Sequence, residues 1–368
     1  MARFVNILVL NTGSSSLKIA LYDTRNPEPL WSRHQEDDPR LGSVLASKPD
    51  VPIDAVGHRI VHGGSRFRDT IRITPDVKNG IAQTAEIAPA HNRHELAGIE
   101  AAQRMFGVQM PQFAVFDTAF HATLPQESYV YPGPYEWIAR GIRRYGFHGI
   151  SHQYTSRRAA QVLNRDPESL SLITCHLGNG CSLAAIRNGQ SIDTTMGFTP
   201  LDGLMMGTRS GSVDPGILFY LQKHSGVTAD DLDATLNNNS GLLGLSGNSG
   251  DMREIEKSLD QLDPRATLAF DVYIHRLRGG IGAMLASLNG ADAIVFTAGV
   301  GENSARVRAA TCHALGFLGV RLDASRNAKP DGDCEISAAD SSVKVLVIHT
   351  REEWEIAQQC ARIIEAGL

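Results

Sequence analysis

The sequence predicts an α/β protein made of two similar domains, each opening on an antiparallel three-strand meander that feeds a mixed sheet and helices. Three observations carry this. The chain has 368 residues, more than one ordinary hydrophobic core serves. The stretch NILVLNTGSSSLKIALYD reads strand, polar turn, strand, and SLITCHLGNGCSLAAIR repeats that plan, with Ser16-Leu17 falling on Ser182-Leu183. Helical apolar spacing fills the intervals between strands.

In chain order, Asn6–Asn11 and Leu17–Asp23 form the first hairpin, and DTRNPEP turns the chain into a third strand, LWSRH. VGHRI and FAVF read as apolar strands, and NRHELAGIEAAQRMFG as a helix closed by glycine. SHQYTSRRAAQVLN predicts a helix capped by its first serine. In the second meander, NG between CSLAAIR and QSIDTTM predicts a type I′ turn. NNNSGLLGLSGNSG, residues 237–250, is rich in Asn, Gly and Ser, the composition of a mobile loop. DPRATLAFDVYIHRLRGGIGAMLASLNG predicts a long helix, apolar on one face and suited to burial between domains. AIVFTAG is a buried strand, GENSARVRAATCHALG a loop into a capped helix, and KVLVIHT a last strand. REEWEIAQQCARIIEAG is a last helix with acids in its first turn, where the helix dipole favours them.

Composition excludes several classes. The chain is 42% hydrophobic and 20% charged, as soluble globular proteins are, and its formal charge of −5 disfavours non-specific nucleic-acid binding. No run approaches a membrane span, and MARFVNILVLNT lacks the apolar core and cleavage site of a signal peptide. The five cysteines are scattered, odd in number and without a C-x-x-C pair, which reads as reduced thiols of a cytoplasmic enzyme.

NTGSSSLK combines small hydroxylated residues with Lys18, so backbone N–H groups and a point charge could meet phosphate, and Asn11 could reach a metal. A plain polar turn has the same composition; the matching HLGNG loop in the second half favours a pair of phosphate-holding bends. The chain has no P-loop and no protein-kinase signature. GVGEN after the strand IVFTA suits either a nucleoside lying on glycine backbone or a tight strand-to-helix turn. Arg59, His148 and Arg209 each lie beside glycines, and Asp117 follows a buried strand. Such cations cost solvation unless an anion meets them, so they suit phosphoryl transfer, although Arg59 could pair with a surface acid and Asp117 could cap a helix. His58/His62 and His148/His152 have a zinc-like H-x-x-x-H spacing, but neighbouring glycines argue against the helix that zinc would need.

NTGSSSLK, VGHRIVHGG, FDTAFH, RRYGFHGISH, HLGNG, GFTPLDGLMMGTRSGSVDP, DMR, FTAGVGENS and TREEWEIA occur in the order found in acetate kinases, and the resemblance runs from about residue 6 to 360. It implies the duplicated ribonuclease-H-like fold of actin and hexokinase, with a nucleotide cleft between domains of residues 1–119 plus 353–368 and 120–352. It also implies ATP/ADP, Mg²⁺ (or Mn²⁺), a short-chain carboxylate, its acyl phosphate and a homodimer. By matching position, Asn11 and Glu352 resemble magnesium-site residues and Lys18 the phosphate-contacting lysine. Arg59 resembles the receiver of the substrate carboxylate, Asp117 the catalytic aspartate, and His148 and Arg209 the groups that stabilise the transferring phosphoryl. His176, Leu177, Gly178, Asn179 and Gly180, then Asp251, Met252 and Arg253, then Gly299, Val300, Gly301, Glu302 and Asn303 resemble three nucleotide-binding segments. Val61, Ala90, Phe147 and Pro200 resemble the acyl pocket.

Two features depart from the family. APAHNRHEL has Ala90 for the usual leucine, which widens the acyl pocket, and Arg93 for the usual proline, which adds a charge near the entrance. The stretch near 33–55 is abbreviated. A carboxylate nucleophile is already ionised at neutral pH and needs no general base, so Asp117 is expected to orient an arginine and magnesium-bound water. Domains that grip a nucleotide are expected to close on it.

Overall fold

Strand β1 (Asn6–Thr12) reads ILVL through its middle because both its faces are covered. Ile7 and Val9 pack in one core with Phe113, Val115, Ile356 and Cys360, whereas Leu8 and Leu10 pack in another with Leu21, Val56 and Ala102. The computed structural model describes residues 4–12, 16–36, 49–84 and 89–367; of residues 16, 36 and 89–93 it describes the backbone only. The turn residues 13–15, most of the abbreviated stretch, and the side chains of Ala90 and Arg93 lie outside the described residues.

β1 is followed by β2 (Ser16–Asp23), β3 (Trp31–Glu36), β4 (Ala55–Ile60), the two-residue β5 (Ile71–Arg72), helices α1 (Pro75–Thr84) and α2 (Pro89–Phe106), and β6 (Gln112–Phe116). The first sheet has the order β3-β2-β1-β4-β6-β5. Its meander is antiparallel, β1, β4 and β6 are parallel, and β5 is antiparallel at the edge. Helix α3 (Gly149–Val162) begins two residues before the expected serine cap.

The second sheet holds β7 (Ser171–Leu177), β8 (Cys181–Arg187), β9 (Gln190–Thr194), β10 (Ala293–Thr297), β11 (Cys334–Glu335) and β12 (Lys344–Val347), ordered β11-β12-β10-β7-β8-β9. Strand for strand this repeats the first: an antiparallel meander, two parallel partners, and a short antiparallel edge. The fold is therefore α/β with duplicated domains. Asn188 and Gly189 both have positive φ, 55° and 74°, as a type I′ turn requires.

Among the helices of this half are α4 (Pro215–Ser225), α5 (Met252–Asp260), α6 (Pro264–Leu288), α7 (Ala298–Asn303) and α8 (Ala305–His313), and α9 (Glu352–Glu365) closes the chain. Two expectations need correction. α6, expected to suit burial between domains, packs within the second unit on β7, β8 and β9, against α5 and α8 and against residues 241–246, as the core helix of the second sheet. Residues 237–250 are not a loop throughout. Gly241–Ser246 is helical, Leu242 is buried, and the backbone N–H groups of Ser240, Leu242 and Leu243 donate to the carbonyls of Thr208, Met206 and Gly207.

The chain divides into two compact units, one of Met1–Ala122, Phe147–Tyr154 and Arg351–Leu368, the other of Thr123–Gly146 and Thr155–Thr350. Phe147–Tyr154, expected in the second domain, falls with the first unit. The five cysteines are unbridged, and burial raises the thiol of Cys181 to about 11.

Candidate functional site

In the first unit, three parallel strands end side by side and present Asn11, Arg59 and Asp117 at or just past their carboxyl ends. Ligands of open α/β sheets gather at such ends. Arg59 Nη2 and Nε donate to Asp117 Oδ2 at 2.6 and 3.1 Å, and Nη1 donates to Asn11 Oδ1 at 3.2 Å. Among the described residues this leaves one N–H on each terminal nitrogen for an anion. Arg59 thus has the acidic partner that its sequence allowed, but half-buried rather than on the open surface. Burial opposes its charge, and the carboxylates of Asp117 and Glu352 outweigh that and hold it cationic.

Asn11 Nδ2 donates to Glu353 Oε1 at 2.9 Å, and Asn11 also bonds Glu352. Both acids stand in the first turn of α9. Burial raises the Glu352 carboxyl, Glu353 adds to this, and Arg59 and Lys18 oppose it. Lys18 is the cross-strand partner of Asn11. An amide oxygen and two carboxylates are hard oxygen donors that suit Mg²⁺, which is commonly held by one or two carboxylates with substrate phosphates. Among the described residues no group of three His, Cys, Asp or Glu forms a metal cluster. The histidines find other partners: His58 bonds Gln112 at 2.7 Å and is lowered to about 4 by burial, and His62 Nδ1 accepts the Gly64 N–H.

His148 has φ 55°, a left-handed backbone that a side chain rarely adopts. The fold imposes it. His121 Nε2 lies 3.1 Å from the Phe147 carbonyl, and the Gly149 N–H donates to the Asp117 carbonyl at 2.9 Å. A Cβ at Gly149 would lie 2.1 Å from that oxygen, so only glycine fits. Phe147 is buried with its ring 5.4 Å from that of His62, and Val61 is buried beside it in sequence.

Glu95 of α2, which sequence reasoning missed, accepts the Val61 N–H at 3.1 and 3.2 Å. Burial pushes its carboxyl up to about 8, against the pull of Arg59. Its signal was an acid four residues before Ile99 and seven before Ala102, on a stripe that is otherwise buried. Glu353 was missed because its neighbour Glu352 filled the family position.

In the second unit, a cavity of about 730 Å³ is lined by Gly178, Asn179, Asp251, Met252, Arg253, Gly299, Val300 and Asn303, together with the unanticipated Gly250, Glu256 and Ser304. All three predicted segments therefore meet at one cavity large enough for a nucleoside. Asp251 caps α5 by accepting the Arg253 N–H, and the Arg253 side chain bonds Asp251 and holds its carboxyl below the ordinary range. His176, Leu177, Gly180, Gly301 and Glu302 do not line the cavity. Glu302 faces inward, where Oε1 accepts the N–H groups of Ala298 at 2.8 Å and Thr350 at 2.9 Å.

Arg209 sits on the loop joined to this wall. The Gly207 N–H donates to the Asn179 carbonyl at 3.0 Å, and Arg209 Nη1 donates to the Pro200 carbonyl at 3.3 Å.

The chain is similar to known proteins along its length. The family profile described as "Acetokinase family" matches residues 41–358. The acetate kinase of Gloeobacter violaceus is 54% identical over 399 aligned residues, covering 97% of this chain and 98% of that protein. The crystal structure of Porphyromonas gingivalis acetate kinase has 38% identity and a TM-score of 0.90, covering 98% of this chain and all of that one. A propionate kinase from Francisella tularensis has 37% identity and a TM-score of 0.90, covering 96% and 98%. With sheet duplication, cavity and sequence likeness in agreement, the chain belongs to the acetokinase family.

Proposed function

We propose that this chain reversibly transfers the γ-phosphoryl group of ATP to acetate, giving acetyl phosphate and ADP, by direct in-line attack of a carboxylate oxygen. The observation that carries this reading is the cluster of Arg59, Asp117 and Asn11 at the strand ends, on the unit that also holds the apolar Val61 and Phe147: a fixed cation and apolar side chains suit an anion with a short tail. The second unit's cavity takes the nucleotide in this reading. Arg59 holds the acyl carboxylate, while Asp117 fixes the guanidinium and takes no proton. Lys18 meets the phosphate tail, and Arg209 and His148 meet the charge that spreads over the transferring phosphoryl. Asn11, Glu352 and Glu353 would hold Mg²⁺, which when bound neutralises charge on the β- and γ-phosphates.

The propionate kinase likeness supports propionate as a second substrate, and Ala90, smaller than the family's leucine, favours it further. An apolar pocket discriminates one methylene by only about 10–200-fold.

A homodimer also belongs to this reading, formed through α4. None of its residues is buried, and Ile217, Phe219 and Tyr220 are 49%, 60% and 62% exposed, an apolar surface that a second copy would cover. Among the described residues no helix is long and apolar enough to cross a membrane.

The test is hydroxylamine trapping of acyl phosphate with ATP, Mg²⁺ and acetate, propionate or butyrate. Acyl hydroxamate should form in step with ADP, fastest for the two shorter acids. ADP without hydroxamate would overturn the reading, and an absolute preference for acetate would overturn the Ala90 argument.

A further inference from the structure

Arg308 on α8 is 1% exposed, among the largest fully buried side chains of the protein, and lies outside the cavity lining. Burying a guanidinium costs solvation that only well-placed acceptors offset. Here the acceptors are carbonyl and amide oxygens. Nη1 donates to the carbonyls of Gly301 at 2.9 Å and Glu302 at 2.8 Å. Nε donates to Asn327 Oδ1 at 2.8 Å and Nη2 to the Asn327 carbonyl at 2.6 Å. Asn327 Nδ2 in turn donates to the Ala305 carbonyl at 3.0 Å.

The two carbonyls belong to the last turn of α7, where unpaired oxygens carry the negative end of the helix. The other end of α7 starts at Ala298, whose φ of 64° is unusual for a residue with a side chain, and it is there that Glu302 Oε1 accepts the backbone N–H. The short helix is thus held at its carbonyl end by buried Arg308 and at its start by its own Glu302 side chain. Its remaining residues Gly299, Val300 and Asn303 line the cavity, with Asn303 Nδ2 donating to the Gly299 carbonyl at 2.8 Å.

We infer that Arg308 is a positioning residue for the nucleotide: it fixes the carbonyl end of α7 from behind and so sets the wall on which the nucleoside lies. This rests on reading the cavity as the nucleotide site. Lysine keeps the charge but cannot span four acceptors at once, and Asn327→Ala removes the side-chain acceptor of Nε and the bond to the Ala305 carbonyl while leaving the arginine and the backbone carbonyl of residue 327.

The experiment measures KM for ATP, KM for acetate and calorimetric Kd for ADP on the full-length Arg308→Lys and Asn327→Ala proteins, with Val300→Trp as a cavity-filling control. Both variants should raise the ATP KM and the ADP Kd about tenfold, the order expected for losing one charge-assisted bond, and Asn327→Ala should do so with wild-type circular dichroism. The acetate KM should stay unchanged in both. Unchanged ATP and ADP constants, or a parallel rise in the acetate KM as general loosening would give, overturn the inference. If Val300→Trp alone raises the ATP KM, only the role of Arg308 falls. If Val300→Trp leaves it unchanged, the cavity reading falls first and the inference with it.

Discussion

Glu95 places a carboxyl against the Val61 N–H and within the field of Arg59 and Asp117. Its proton is held to about pH 8 in the folded protein, chiefly by burial, whereas the unfolded chain releases it near the ordinary carboxyl value. Protonation therefore favours folding. The contribution is full below about pH 4.5 and is lost as pH rises through about 8. Glu95→Gln, which cannot ionise, should gain on the wild type by a few kcal/mol between pH 5 and pH 9, read as the difference between two denaturation series. Parallel series would contradict the buried neutral carboxyl. In the proposed mechanism Arg209 acts through its charge, carried on a loop that the Gly207 N–H bond to the Asn179 carbonyl holds and from which Nη1 donates to the Pro200 carbonyl. Arg209→Ala should lower kcat by about 10³-fold or more with the melting transition preserved, and near-normal turnover would remove it from the mechanism. The sequence singled out Arg59 and Asp117 by their neighbours, and Asp251 and Asn303 through the family resemblance; the first pair meet at strand ends and the second pair line one cavity. It did not identify Glu95 or Arg308, since a buried charge in an ordinary helical pattern shows only once its partners, remote in sequence, are in place.

The elements divide by how local their causes are. Meander strands, the NG turn and the last helix follow from alternation, turn chemistry and first-turn acids, all of which are local, and all form as expected. Residues 241–246 misled because their glycines and serines read as a loop. Their leucines and the carbonyls of Met206, Gly207 and Thr208, more than thirty residues earlier, make them a brace behind the Arg209 loop. The long helix α6 misled for a related reason: an apolar face says that something covers it, and not which sheet does. The start of α3 shows a tertiary contact fixing a boundary. Gly149 lies so close to the Asp117 carbonyl that Gly149→Ala must displace one of them. That substitution should destabilise the protein by about 2 kcal/mol or more and lower activity further than stability alone explains, because His148 and Asp117 shift together. Wild-type kinetics and melting in this variant would show that the contact does not position the site.

At the scale of the molecule, the two sheets share one topology with thin sequence identity, so alternation and connection order are preserved where individual residues are not. Each half uses the carboxyl ends of its parallel strands differently: the first gathers cations and carboxylates, and the second opens a nucleotide-sized cavity. The exposed face of α4 belongs to this scale too. If the proposed homodimer forms through this face, Phe219→Asp should halve the mass seen by light scattering at micromolar concentration, and an unchanged mass would contradict the proposed contact. The most direct test of the whole account is a two-substrate grid of acetyl phosphate formation with Arg59→Lys, a variant that keeps the charge and loses the fork. If Arg59 receives the carboxylate while the nucleotide is held by the second unit, the acetate KM rises about tenfold or more and the ATP KM stays within about twofold. An unchanged acetate KM, or a rise confined to ATP, would contradict it.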